Sequence, residues 1–538
     1  MEVSKKTTAK IGLFGAITII LGGMIGIGIF FKNGGIFAAN NANTIGVLMS
    51  WIVASLIAFA TAFSYTEIIT CKTRVSNAGL AGWAEQFCGH KISRGVKIWQ
   101  PMFYFPMYVF VIAIFASEAM FNCFMTDPGT IDLGNMTMLY IMLGGLGLII
   151  LFVGMNYMST KVSSNFSKYT TIIKFLPLVA VVVLGVAFGT INGGGIWNNM
   201  IFIHYGGMNQ YVPIGPGNPA YSGQFSINGV FMSIPAILFA FDSFLIIGNI
   251  SSDIKNPSKN VPLSMVIAMI VTIFIYIVFS IAQITIGTGN PYVIMEIVAS
   301  GNETLKIALN ITMSIFILIA ILGVLNAITM AGVRSMTACV NDEVAFASKT
   351  FKKVKSSNPL TSGTLYLLVL VFILFIGVGL PSVIMNTDQI VDGFSNLAVL
   401  FFFLIYGTII LGGLINRHTN KVEVRKVKGF VTVGIIAVVG CFFAFAYCAF
   451  YQFFIAIILE PNGLSVLGTR THASINTWGL FLKSNFVLAN WQVAIVFWSA
   501  ALFFFALPFI NDGLIKKFDK QNNQPLIWEK YRKIETGF

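Results

Sequence analysis

Long apolar runs separated by short polar connectors fill this chain from residue 11 to residue 510. A membrane-crossing helix needs roughly 20 mostly apolar residues. Twelve segments meet that length, at 11–31, 44–70, 98–122, 136–156, 169–191, 227–250, 261–288, 304–333, 361–380, 388–415, 429–459 and 486–510. The pattern predicts an all-α, polytopic membrane protein of 12 transmembrane helices. Residues 1–10 then form a short N-terminal segment, 192–226 and 460–485 long loops, and 511–538 a C-terminal tail.

Within the first segment the pattern breaks its own rule. Leu21 to Phe31 carries Gly22, Gly23, Gly26 and Gly28 where a helix former is expected. Each interior glycine costs about 1 kcal/mol relative to alanine, so the run opposes a continuous helix by about 3–4 kcal/mol. Two readings stand side by side. One is close helix packing through the small-xxx-small pair Gly22 and Gly26. The other is a broken helix, tolerated in a membrane only where protein or a water-filled cavity covers it.

Charge tests the segment count, because basic residues concentrate in cytoplasmic connectors. With both termini inside, the cytoplasmic clusters are Lys72–Lys97, Lys349–Lys355 and Arg417–Lys428. Of the 33 Lys and Arg residues, only Lys32, Lys306, Arg470 and Lys483 fall on the opposite side, and Lys174 falls inside a span. Merging or splitting one segment would scramble this bias. The expected location is the plasma membrane, multi-pass. The net charge of +13 then reflects connector placement, and no nucleic-acid partner is expected.

Composition agrees: 56% of residues are hydrophobic and 10% charged, against about 25% charged in soluble domains. The first apolar run has no small-residue cleavage site after it and reads as a retained span. Six cysteines show no CxxC pair and four histidines no ligand spacing, so neither a metal nor a cofactor is expected. No nucleophile elbow, phosphate-binding loop or Ser/His/Asp arrangement calls for an enzyme.

Ionisable residues within the hydrocarbon region are expensive and point to function. Asp242 lies mid-way through the sixth segment, seven residues after Pro235 and six before Gly248. It is placed either to line a binding cavity or to cap a broken half-helix, and one position can serve both. Lys174 lies six residues beyond Lys168, about 9 Å deeper at 1.5 Å per residue. It either snorkels back along its own stem or points into the bundle. Glu67 and Glu118 fall near the ends of their segments and are expected at the interface. Asp392 reads as a favourable acid at a helix N-terminus.

The first and sixth segments lie five apart and both are interrupted, which is the sequence pointer to an inverted-repeat transporter with a midplane site. Half-helix N-termini offer N–H groups to a carboxylate, and unwound carbonyls suit an ammonium. That pairing favours zwitterionic substrates. Here the chain resembles the amino acid–polyamine–organocation superfamily. Ile25-Gly26-Ile27-Gly28-Ile29-Phe30 is similar to its first-span signature, and Asn77, Gly79 and Gly82 to its second-to-third-span linker. Phe239 to Pro262, ending Lys255-Asn256-Pro257-Ser258-Lys259-Asn260-Val261-Pro262, resembles its sixth-span motif, and Gly332 to Met336 with Asn358-Pro359 its eighth-span exit.

The resemblance implies a five-plus-five inverted-repeat core, 11–191 and 227–416, with discontinuous helices 1 and 6 and two further spans within 429–510. It implies substrate contact at Met24, Ile25, Gly26, Ile27 and Gly28 and at Phe239, Ala240, Phe241, Asp242 and Ser243. Phe239 matches an aromatic gate position, and Lys174 resembles the lysine that replaces a sodium site. Two departures stand out: Ile27 replaces a small or hydroxyl residue, and Ser243 replaces a glycine, which puts the unwinding there in doubt. The implied activity is secondary amino acid transport by alternating access, driven by protons or exchange. Alternatives are a polyamine or basic amino acid carrier, and a sensor on the same scaffold, against which the absence of a long soluble stretch argues.

Overall fold

The computed structural model describes residues 11–40, 43–71, 79–125, 131, 133–191, 225–249, 254–286, 289, 291–354, 356–459 and 490–518. Their regular structure is helical, and no strand forms among them. The loops expected at 192–226 and 460–485 lie almost wholly outside the described residues, as do the segments 1–10 and 519–538.

The first apolar segment is two helices, α1 (Leu13–Met24) and α2 (Ile27–Ala39). Then follow α3 (Thr44–Ile68), α4 (His90–Asn122), α5 (Thr137–Met158), α6 (Thr160–Ile173) and α7 (Phe175–Ile191). The sixth segment gives α8 (Ile227–Phe241) and a short turn of helix, α9 (Ile246–Asn249). Beyond it lie α10 (Pro257–Ile286), α11 (Glu303–Asn341), α12 (Thr361–Ile384), α13 (Gln389–Thr419), α14 (Phe430–Tyr447) and α15 (Asn490–Phe518). Ten stretches among the described residues are long and apolar enough to cross a membrane. The first and sixth segments are not among them because each is interrupted, leaving the shorter apolar helices Leu13–Met24 and Ile227–Phe241.

Several helices outrun their apolar segments. The third begins at His90 rather than 98, and the eighth continues to Asn341 rather than 333. Hydropathy marks only the part facing lipid or core, whereas helix ends are set by caps and breakers. Asn43 and Asn302 supply such caps, their side chains accepting from Gly46 N at 2.9 Å and Leu305 N at 3.1 Å. These bonds satisfy donors left over in the first helical turn.

Helix α4 is the central post: 94% of its most apolar stretch is buried, against 28% for α12 at the periphery. It packs against α5, α11 and α13, while α10 packs against α1, α3 and α7. Large apolar side chains left on the outside, among them Phe14, Met158, Ile172, Ile384 and Phe509, face outward from the bundle. Such a girdle suits lipid, where helices satisfy their own backbone.

At the end of the bundle where α1 begins (the near end), Glu67 lies in the last turn of α3. It is enclosed by protein, accepting from Arg417 Nη2 at 2.5 Å and Val427 N at 2.7 Å. Arg417 also lies over the Phe430 ring, 5.3 Å from its centroid. Sequence distance of 350 residues hides this pair, which ties α3 to α13, while the Val427 bond ties α3 to the connector before α14.

Candidate substrate site

The first break follows directly from the glycine run. Helix α1 closes with Ile25 N donating to Leu21 O at 2.9 Å, after which Ile25 turns to extended backbone, φ −75° and ψ 108°. Helix α2 restarts at Ile27. The interruption is thus narrower than Ile25–Gly28, and Gly28 already belongs to the first turn of α2. There glycine is needed for approach, since a Cβ would stand 2.6 Å from Ala240 Cα. A Cβ at Gly22 or Gly23 would stand somewhat farther off, 2.9 Å from Thr171 Oγ1 and 3.2 Å from Ser243 Cβ.

Carbonyls at the end of α1 have no helical donors, and side chains from distant segments supply them. Lys174 Nζ donates to Gly22 O and to Ile25 O, each at 2.7 Å, and is fully buried. It points into the bundle and does not snorkel. Its position is prepared locally: Lys174 sits at the turn between α6 and α7, three residues before Pro177. Proline removes the donor for the carbonyl four residues back, Ile173, and bends the helix there.

In the second break α8 ends at Phe241, Asp242 is extended with ψ 170°, and Ser243 takes φ 82°. The chain therefore unwinds at Ser243 despite lacking the glycine usual there. A serine in the left-handed region is held at a cost of about 1–2 kcal/mol. Tyr276 of α10 joins the two breaks: its hydroxyl lies 2.8 Å from Met24 O and 3.1 Å from Ala240 O.

Asp242 faces α4. Its Oδ2 accepts from Tyr104 at 2.8 Å and Tyr108 at 2.5 Å, while Oδ1 is buried with no hydrogen-bond partner. Tyr104 closes a π-helical turn, Gln100–Tyr104, which shifts the register of α4 just before Tyr108. Pro101 and Pro106 lie within and after that turn, and such turns occur mostly at functional sites. Phe239 stacks on Tyr108 with centroids 5.8 Å apart and planes 18° apart. Lys32 Nζ lies over the Phe239 ring, 5.0 Å from its centroid.

Of the residues expected at the site, Met24, Ile25 and Gly26 lie at the first break and Phe239 to Ser243 at the second. Gly28 meets Ala240 between them, and Ile27 contributes the backbone that opens α2. Sequence reading missed Tyr104, Tyr108 and Tyr276. The signal was present as a Tyr pair at i, i+4 on either side of Pro106, and as one tyrosine in the apolar run Ile273–Val278. It also missed the buried contact of Lys32 with Asp392, Ser395 and Asn396. Glu118, expected at the interface, is fully buried.

Two broken helices meeting inside a multi-span helical bundle define the architecture of a membrane transporter, and comparison with known proteins agrees. The amino acid permease family profile matches residues 11–481, and the chain belongs to that family. It is 23% identical over 445 residues to the serine/threonine exchanger SteT of Bacillus subtilis, covering 81% of this chain and 90% of SteT. The b(0,+)-type amino acid transporter 1 of Mus musculus is 22% identical over 448 residues, 81% of this chain and 82% of that protein. Among solved structures, MhsT in complex with L-phenylalanine shares the fold, with a TM-score of 0.54 at 13% identity over 80% of this chain and 97% of MhsT. The protein is a membrane transporter and not an enzyme.

Proposed function

We propose that this protein is a secondary active transporter that moves amino acids across the plasma membrane by alternating access. The observation that carries the reading is the meeting of the two breaks, with their free groups sorted by charge. At the start of α2, backbone N–H groups lack helical acceptors and suit a substrate carboxylate. At the other break, Asp242 Oδ1 is a buried acceptor without a hydrogen-bond partner. An α-ammonium beside a carboxylate matches both groups at once. Phe239 closes over this space as the aromatic gate.

The same reading takes the chain as 12 spans, the ten long ones with the two interrupted segments, arranged as five-plus-five inverted repeats and two further helices. The basic clusters Lys349–Lys355 and Arg417–Lys428 support a cytoplasmic near end. Lys174 holds the first-break carbonyls that a sodium ion would otherwise coordinate, which favours proton coupling or exchange.

A second reading, a carrier of basic amino acids or polyamines, is favoured by the same Asp242 Oδ1, which suits a second ammonium. A thermal-shift screen of the purified protein against the amino acids and common polyamines separates the two. Ligand in excess over its Kd raises the melting midpoint. Stabilisation by neutral amino acids supports the first reading, stabilisation confined to lysine, arginine or polyamines the second, and none by any of them rejects both.

A further inference from the structure

Glu118 is the buried ionisable group that the site does not use. It lies on α4, fully enclosed, and neither carboxyl oxygen has a hydrogen-bond partner. One helical turn back, the Phe115 ring centroid lies 5.9 Å from Lys32 Nζ, so Glu118 shares the α4 face that looks towards Lys32. Lys32 has nothing to spare for it. An ammonium has three donors, and these go to Asp392, to Ser395 Oγ at 2.9 Å and to Asn396 Oδ1 at 3.1 Å.

The charged neighbours of Glu118 are Lys32 from α2 and Asp388 and Asp392 from the start of α13. On its own helix Asn122, one turn on, donates to Ser314 of α11 at 3.3 Å, and Ser314 lies 3.2 Å from the Tyr292 hydroxyl. One lysine thus faces both Glu118 and Asp392, and it is already paired with Asp392. An enclosed carboxylate without a donor or an unshared cation is strongly disfavoured; a carboxylic acid at Glu118 removes that charge.

We infer that Glu118 is a proton-binding site at the far end of the molecule, coupled through Lys32 to the aromatic cover of the substrate site. Lys32 is the link, because the same ammonium that pairs with Asp392 lies over the Phe239 ring. When the Glu118 O–H bond breaks, its proton passes to water on the far side and the new carboxylate competes with Asp392 for Lys32. Drawing Lys32 away from Phe239 loosens the cover. Reprotonation restores the arrangement described. This places the driving proton outside the Lys174 position, and it rests on the transport reading only for the consequence, not for the proton site itself.

Two measurements keep those parts separate. Infrared difference spectra of the purified protein, taken as pH is changed, are expected to show a carboxylic-acid C=O band that is lost in Glu118→Gln. No Glu118-dependent band at any pH overturns the proton site, whether or not transport occurs. If Glu118→Gln does not fold, Glu118→Asp is expected to move the midpoint at which the band titrates; an unmoved band overturns the assignment. In proteoliposomes supplied with L-serine, L-threonine, L-lysine or L-phenylalanine, wild-type uptake is expected to vary with the pH on the far side. In Glu118→Gln that dependence is expected to be lost, while exchange at equal pH persists. A variant retaining the wild-type pH profile overturns the coupling. Absence of wild-type uptake for all four substrates counts against the transport reading for them and leaves the infrared result standing.

Discussion

Ser243 shows what a single residue can carry at a helix break. Its φ of 82° belongs to the region glycine adopts freely. A comparison of Ser243→Gly with Ser243→Ala isolates the backbone cost, because both remove the hydroxyl. The glycine variant is expected to be more stable by about 1 kcal/mol, read as a higher thermal midpoint of the purified protein. Equal midpoints would mean the residue does not hold this conformation in solution. Gly28 makes the opposite case. There a methyl group would meet Ala240 backbone at 2.6 Å, so Gly28→Ala is expected to force the two broken helices apart and lower both the midpoint and uptake. A variant with wild-type midpoint and uptake would remove that contact from the account. Neither role could be separated in the sequence, where Gly22, Gly23, Gly26 and Gly28 look alike. Periodicity marks that a helix is opposed; it does not tell which glycine breaks it and which merely admits a neighbour. The doubt over Ser243 had the same origin, since propensity weighs one residue and the surrounding contacts decide.

At the scale of elements, broken helices are stable because other elements bring groups to their ends. Lys174 reaches α1 because α6 and α7 bend at Pro177, and Tyr276 on α10 touches both breaks. Apolar runs and punctuation revealed the elements themselves, including the interruptions at Gly26 and Asp242. Their mutual contacts were not readable, since Lys174 and Gly22 are 152 residues apart and Lys32 and Asp392 are 360. Pro177→Ala therefore gives an element-level test. Restoring the donor for Ile173 O is expected to straighten α6 into α7 and draw Lys174 off the α1 carbonyls. Uptake should fall about as far as in Lys174→Met, although residue 174 itself is unchanged. Full uptake in Pro177→Ala with loss in Lys174→Met would show that the bend is not what positions the lysine. Asp242→Asn probes the other break. Retaining both tyrosine bonds but losing the negative charge at Oδ1, it is expected to weaken cationic substrates more than neutral ones in the binding screen. An equal loss for both would leave Asp242 as a cap of α8 alone.

In the whole molecule, the end of the first half-helix is completed by a distant side chain. Carbonyls at the end of a half-helix attract positive charge, and in a membrane interior they need a donor or an ion. In this chain the Lys174 ammonium occupies that place, with 2.7 Å contacts to Gly22 O and Ile25 O. On the proposed reading, a cation built into the polypeptide takes the place of sodium at the first break. That the chain belongs in a membrane was readable from its apolar runs alone. The ion dependence was not, because it turns on whether one lysine points inward, and both orientations fit its depth in the segment. Wild-type uptake in proteoliposomes is accordingly expected to be the same in sodium chloride and in choline chloride, with the substrate and pH held fixed. Lys174→Ala leaves the carbonyls without their donor and is expected to lose uptake in both salts. Sodium-stimulated uptake by the wild type would overturn the assignment.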